Sequence, residues 1–220
     1  SGDINLKELP TAETISIKHC NVLVLKCTFG LPEYIFPRFE ESIEPLIKFI
    51  GAALSSNSTP ILMINAMGVA QDIIKALGDN GFKLRLHKSI YNVTKIYEGL
   101  GVNFGDYELL ESGNIEEKVV IMPLGKIDSD NLHEIKSKQS AIIVESGTEE
   151  LSSITSEFNA DKAFTFSTRA GYDELLEYVE KVNPEKVYLI DKYTNEFAKT
   201  LQNNGYEAIA LEKPTQLNLL

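Results

Sequence analysis

The chain has 220 residues, of which 43% are hydrophobic and 24% charged, enough apolar material for one large or two small packed domains. Its 32 acidic and 21 basic residues give a net charge of -11, which argues against a protein that wraps nucleic acid through a broad basic face. No apolar run approaches the ~20 residues that cross a bilayer, and two cysteines without metal or redox spacing are typical of a cytoplasmic protein.

The hydrophobic pattern switches between strand-like runs and helix-like periods along the whole chain. In chain order it predicts strands over residues 4–6 and 22–25, a helix over 37–54, a strand over 60–65, a helix over 68–77, a strand over 82–87, a helix over 90–100, a strand over 119–122, a helix over 129–138, strands over 141–144 and 163–166, a helix over 172–182, a strand over 186–190, a helix over 195–203 and a strand over 207–211. The apolar face predicted for the helix over 90–100 consists of Val93, Ile96, Tyr97 and Leu100.

Strands that alternate with helices of ten or more residues indicate βαβ units and a largely parallel sheet, so the predicted fold class is α/β. The simplest division places one α/β domain, residues 31–147, as an insertion within a second domain. That second domain is built from residues 1–30 and 148–220.

Polar residues follow several predicted strands, namely Lys26, Asn65, His87, Ser146, Ser167, Arg169 and Asp191. The carboxyl ends of parallel strands line the crevice in which open α/β sheets bind ligands. Polar residues also end buried strands for structural reasons alone, and His87 fits a capping or core histidine better than a ligand. Because neither GxGxxG nor GxxxxGK[ST] occurs and no histidine pair has zinc-site spacing, the residues alone give no complete catalytic set.

The segment LVLKCTFGLPEYIFP, which starts at Leu23, resembles the (V/I)xEATFGLPxYxFP pattern of metallo-β-lactamase nucleases of the β-CASP group. The ligase-associated DNA exonuclease type and archaeal proteins like the messenger-RNA 3′-end processing factor are the most similar. Further segments resemble the family in the same order: Ser1-Gly2-Asp3 its TGD, NAMGVAQ its YALGKAQ, LHKSIYNVTKIYEGLGV its HGxVxxxTExYxxxGV, and FSTRAGYDELL its S-x-H-A segment. The resemblance implies a β-CASP Rossmann-like domain inserted into the carboxyl-terminal half of a metallo-β-lactamase-type αββα sandwich.

The chain departs from this family at the metal and proton-transfer positions. Lys26 stands where the first β-CASP motif has an acid, Arg169 where the second has a histidine, and Asp191-Lys192 where the third has a zinc-ligating His-Gly. Asp3 matches the aspartate that bridges two zincs, whereas the HxHxDH motif has no counterpart. Since the family reaction needs two Zn²⁺ ions, the resemblance implies a catalytically inactive homologue without metal or cofactor.

We expect Asp3, Lys26, Arg169 and Asp191 to converge at one sheet edge as a neutral cluster, with Lys26 paired to Asp191 and Arg169 to Asp3. The residues predicted to face a nucleic acid or another ligand are Lys26, His87, Lys88, Ser167, Arg169 and Lys192. A chain with only half of the sandwich would leave an apolar sheet face uncovered. That face predicts a longer parent chain, a protein partner or a second copy of this chain, with weak nucleic-acid binding and no membrane partner.

Three functions remain open at this point. The first is a degenerate nuclease homologue that acts as a structural or accessory subunit in DNA repair or RNA processing. The second is a zinc-dependent DNA or RNA exonuclease whose metal site is completed by another chain or by a missing amino-terminal half. The third is a small-ligand or nucleotide-binding α/β module, which only the strand-end crevice and its cations favour.

Overall fold

The computed structural model describes residues 1–111, 115–125, 135–145 and 150–211, which form nine strands and six helices. The strands are β1 (Val22–Lys26), β2 (Thr59–Ile64), β3 (Leu84–Leu86), β4 (Tyr107–Leu109), β5 (Val119–Pro123), β6 (Lys138–Val144), β7 (Lys162–Thr165), β8 (Lys186–Ile190) and β9 (Glu207–Ala210). The helices are α1 (Phe39–Ser55), α2 (Val69–Asp79), α3 (Lys88–Gly99), α4 (Leu151–Glu157), α5 (Tyr172–Val182) and α6 (Thr194–Asn203). All pairs between these strands are parallel, which confirms the predicted α/β class. Among the described helices, none combines the length and apolar character of a membrane span.

The chain forms two compact units. The three-stranded unit comprises Ser1–Leu6, Thr14–Ile35 and Arg169–Leu220, and the six-stranded unit comprises Lys7–Glu13 and Phe36–Thr168. The six-stranded unit extends past the predicted boundary at residue 147, because β7 pairs with β6 and so belongs to its sheet.

In the six-stranded unit the strand order is β4-β3-β5-β2-β6-β7. Strand β2 lies near the centre and all six of its residues are buried, which explains why its sequence TPILMI is apolar without alternation after Thr59. Helices α1, α2 and α3 contribute Leu46, Ile73 and Ile90 to the main core of this unit.

In the three-stranded unit the strand order is β1-β8-β9. Inward residues such as Leu25 of β1 and Leu189 of β8 form the core with Val179 of α5 and Phe197 of α6. The carboxylate of Glu174 caps the start of α5 by accepting from the Gly171 amide at 3.1 Å, and it also accepts from the Leu6 amide at 3.1 Å. This second bond fixes the amino-terminal segment beside α5.

Several sequence predictions need correction. Residues 4–6 form no strand, because the Ile4 carbonyl accepts from the Ala170 amide and the Leu6 amide donates to Glu174. Residues 135–137 are not helical and Lys138 begins β6, while residues 129–134 of that predicted helix lie outside the described residues. In α3 the buried residues are Ile90 and Thr94, whereas Ile96 and Leu100 from the predicted apolar face are exposed.

Candidate functional site

Lys26 ends β1 beside the carboxyl end of β8. The parallel register aligns Lys26 with Ile190, and the Cys27 amide continues the pairing by donating to the Ile190 carbonyl at 3.1 Å. The next residue of the β8 chain is Asp191, so the register alone brings a lysine and an aspartate to the same sheet edge. This arrangement agrees with the general position of sites in parallel α/β sheets.

The Lys26 ammonium contacts two carboxylates. Its Nζ lies 2.9 Å from Asp3 Oδ1 and 3.9 Å from Asp191 Oδ2, so the predicted pair with Asp191 is present but the shorter contact is with Asp3. The exposed fractions of the three side chains are 30% for Lys26, 49% for Asp3 and 32% for Asp191. At this exposure each pair contributes only about 0–1 kcal/mol to the stability of the fold. A contribution to stability therefore does not account for the presence of the cluster.

The Asp191 backbone is held in an unusual conformation. Its φ of 85° and the φ of 52° at Tyr193 lie in the left-handed region, which costs a non-glycine residue about 1–3 kcal/mol. Three contacts stabilise this turn. Thr28 Oγ1 donates to Asp191 Oδ2 at 2.6 Å, the Cys27 thiol donates to the Lys192 carbonyl at 3.2 Å, and the Tyr34 and Tyr193 hydroxyls lie 3.0 Å apart.

Cys27 is a structural thiol. Burial raises its pKa to about 12, and the negative charge of Asp191 adds to that shift. Because a nucleophilic cysteine reacts as the thiolate, a thiol with this pKa is inert near neutral pH. Cys20 is also a free cysteine, half-buried in the three-stranded unit.

Arg169 lies beside this cluster. Its guanidinium carbon lies 4.8 Å above the centre of the Phe29 ring, a distance suited to a cation–π contact. The predicted Arg169–Asp3 pair stays a prediction. Arg169 and Lys26 together line a cavity of about 10 Å³, along with Asp3, Ile4, Thr28, Ala170 and Leu175. That volume is about what one water molecule needs, so a nucleotide does not fit there.

The zinc implied by the family resemblance does not fit these residues. Zinc sites use three or four nitrogen, sulfur or oxygen ligands, and hydrolytic pairs hold two ions about 3.5–4 Å apart. Here the donors are the two carboxylates of Asp3 and Asp191, and the Lys26 ammonium contacts both of them. In the part of the chain that the structure describes, no group of three or more His, Cys, Asp or Glu residues is arranged to hold a metal ion.

The other candidates divide between the two units. Lys192 is exposed in the three-stranded unit, whereas His87, Lys88 and Ser167 belong to the six-stranded unit. His87 Nδ1 accepts from the Ser89 amide at 3.2 Å and so caps the start of α3, one of the two structural roles that the sequence left open. Lys88 is the exposed first residue of that helix, and Ser167 Oγ donates to Glu145 Oε1 at 3.3 Å. Ser146 lies outside the described residues.

Sequence reasoning missed Thr28, whose hydroxyl fixes the Asp191 carboxylate. Lys26 ends β1 and Thr28 lies in the turn that follows, so the alternation of strand side chains did not indicate this contact. The turn at Asp191 gave no signal either, since its left-handed backbone occurs at a residue other than glycine.

No family model matches the chain. The chain is 28% identical over 219 residues to a protein named probable DNA ligase from Opitutus terrae (strain DSM 11246 / JCM 15787 / PB90-1). The match covers 100% of this chain but 21% of that protein, so the chain spans about a fifth of its length. A solved structure of a protein of unknown function from Enterococcus faecalis V583 has a similar fold, with a TM-score of 0.54, 15% identity, and coverage of 89% of this chain and 51% of that one.

Proposed function

We propose that this chain is a catalytically inactive homologue of the metallo-β-lactamase/β-CASP nucleases, with a structural or accessory role in nucleic-acid processing. In this proposal the six-stranded unit corresponds to the β-CASP-like domain and the three-stranded unit to the partial metallo-β-lactamase-like domain. The chain needs no metal or cofactor, and it works through binding rather than through hydrolysis.

The observation that carries the proposal is the position of the Lys26 ammonium. It contacts Asp3 at 2.9 Å and Asp191 at 3.9 Å, and thus supplies a positive charge to both carboxylates. A divalent cation bound by these carboxylates would lie within a few ångströms of that ammonium. At such a distance the repulsion between like charges strongly disfavours metal binding.

DNA is the nucleic acid that the comparisons favour. The relative from Opitutus terrae is named a probable DNA ligase, and a fifth of its length is similar to this whole chain. The segments from Asp3 to Arg169 resemble both the ligase-associated DNA exonuclease type and the archaeal proteins like the messenger-RNA 3′-end processing factor. We therefore place the accessory role in DNA processing, with RNA processing as the less supported setting.

A hydrolysis assay tests this proposal. We expect the purified chain, supplied with Zn²⁺, Mn²⁺ or Mg²⁺, to cleave single-stranded and duplex DNA and RNA no faster than its Asp3→Asn variant. The two should agree because Asp3 has no metal to hold in the unmodified chain. Metal-dependent cleavage that is present in the unmodified chain and lost in Asp3→Asn would contradict the proposal.

One pair of observations favours the alternative, a zinc-dependent exonuclease completed by another chain. The side chains of Asp3 and Asp191 remain partly exposed, and the strained turn at Asp191 is typical of functional sites. If this alternative holds, a purified complex of this chain with its partner contains bound zinc and cleaves nucleic acid, and Asp3→Asn abolishes that activity.

A further inference from the structure

The segment Lys7–Glu13 belongs to the six-stranded unit, although the residues on either side of it along the chain belong to the three-stranded unit. The segment contains a tight turn, in which Leu9 and Ala12 form an antiparallel bridge around Pro10 and Thr11. Proline fixes its own φ and is favoured at the second position of such a turn. The turn is therefore preorganised for the contact that Thr11 makes.

That contact is with the carboxyl group of Asp72, near the start of α2. Thr11 donates to Asp72 Oδ1 from its amide at 2.9 Å and from its hydroxyl at 2.7 Å, and Asp72 is only 2% exposed. Leu9 packs on the core, and Lys7 Nζ donates to the Phe36 carbonyl at 2.6 Å. The other residues of the segment are exposed, namely Glu8, Pro10, Ala12 and Glu13. A segment with so few buried side chains can open while the rest of its unit stays folded.

Among the described residues, no positive charge compensates for ionisation of Asp72. Burial raises the pKa of this carboxyl, the two hydrogen bonds from Thr11 oppose that rise, and no described charged group contributes to the shift. The other charged side chains of the segment and of α2 are Lys7, Glu8, Glu13, Lys75 and Asp79. Of these, Lys75 donates to Asp79 at 2.6 Å and Lys7 donates to a backbone carbonyl. A buried carboxylate without a cationic partner is destabilised, and contact with water relieves that cost.

We propose that the segment Lys7–Glu13 is a proton-controlled strap, which is closed on α2 while Asp72 holds its proton and opens more often once Asp72 is ionised. In the open strap the carboxyl meets water, so its pKa returns toward the ordinary value of 3.8. The carboxyl binds its proton more tightly in the closed strap, so the equilibrium constant for opening rises with pH. The rise is at most about tenfold per pH unit, and it ends above the pKa of the closed strap. The proposal concerns the strap alone and is independent of the proposed function.

Hydrogen exchange of the whole chain, corrected for the intrinsic exchange rate at each pH from about 4 to about 7, tests the proposal. We expect the Thr11 amide to be less protected than the amides of β2 at every pH, because the strap opens without unfolding of the sheet. Its protection should fall as pH rises in the unmodified chain. In Asp72→Asn, which keeps an oxygen that accepts from Thr11 but cannot ionise, the protection should stay constant. Glu13→Gln removes an exposed carboxyl from the same strap and should keep the pH dependence of the unmodified chain.

Thr11→Val provides a second measurement if Asp72→Asn does not fold. It removes the hydroxyl bond to Asp72 at a half-buried position, so the amide at position 11 should lose protection at every pH. An unchanged protection in this variant overturns the proposal. So does a Thr11 amide that is as protected as β2, or a protection that is independent of pH in the unmodified chain. A pH dependence that survives in Asp72→Asn overturns it equally, because another group then controls the opening.

Discussion

At the scale of single residues, Lys26 determines what the sheet edge can do. The position after a parallel strand predicted its place beside Asp191, and the structure adds the contact with Asp3 at 2.9 Å. It was harder to predict which side chains Lys26 and Arg169 contact, because those contacts depend on side-chain rotamers and on the turn at Asp191. Arg169 illustrates this limit, since its guanidinium lies over Phe29, an aromatic partner that its strand-end position did not indicate.

The two cysteines give a residue-scale prediction. Iodoacetamide at about pH 8 should label the native chain once, at the half-buried Cys20, because burial keeps Cys27 protonated with a pKa of about 12. Intact-mass spectrometry counts the labels, and the unfolded chain, which should take two, is the control. Two labels on the native chain would show that Cys27 is accessible and that its contacts with the Asp191 turn open readily.

At the scale of elements, strong hydrophobic patterns predicted the fold well. Helix α5 occupies the predicted residues 172–182 and β8 the predicted residues 186–190, because each has a clear apolar period that its packing uses. Helix α4 was not predicted, and it has no buried residue, so its sequence carries no apolar stripe. Strand β4 was also missed, and none of its three residues is buried, so it lacks the apolar run that marks β3.

A buried polar contact fixes the segment Lys7–Glu13 to α2. Thr11 donates to Asp72 Oδ1 from its amide at 2.9 Å and from its hydroxyl at 2.7 Å, and Leu9 of the same segment packs on the core. Burial raises the pKa of Asp72, and the two hydrogen bonds only partly oppose that rise. No sequence pattern indicated this contact, because the two residues are 61 positions apart.

The raised pKa of Asp72 predicts a dependence of stability on pH. A carboxyl whose pKa is higher in the folded chain binds its proton more tightly there, so stability falls as pH rises from the ordinary value of 3.8 through the folded pKa. Asp72→Asn removes this loss and keeps an oxygen that accepts from Thr11.

Urea unfolding at several pH values between about 4 and about 7 measures the effect. The stability of Asp72→Asn relative to the unmodified chain should increase across this range. Asp106→Asn, at an exposed position of the same unit, serves as the matched control and should show a smaller change. A difference that stays constant or shrinks toward neutral pH would contradict the assigned role of burial.

At the scale of the whole molecule, the net charge limits the nucleic-acid binding that the proposed accessory role can use. The net charge of -11 disfavours extended contact with nucleic acid, so any binding through Lys26, Arg169 or Lys192 should be weak and lost at moderate salt. Among the described residues of the three-stranded unit, Val22, Val24, Ile209 and Leu211 are exposed apolar side chains. Sequence patterns predicted the α/β class but placed a domain boundary before β7, which pairs with β6. The sheet to which a strand belongs depends on long-range pairing, and a local hydrophobic pattern does not show that pairing.

The central claim is that the Lys26 ammonium takes the place of a metal ion. It is tested most directly by measuring bound metal and the thermal shift caused by Mn²⁺ in the unmodified chain and in Lys26→Glu. The variant places a third carboxylate beside those of Asp3 and Asp191. Because Mn²⁺ prefers oxygen ligands, its binding should raise the melting temperature of this variant. Lys199→Glu, which makes the same charge change at an exposed site on α6, should show no shift. We predict negligible metal and no Mn²⁺ shift for the unmodified chain, and stoichiometric zinc or manganese in that chain would contradict the account.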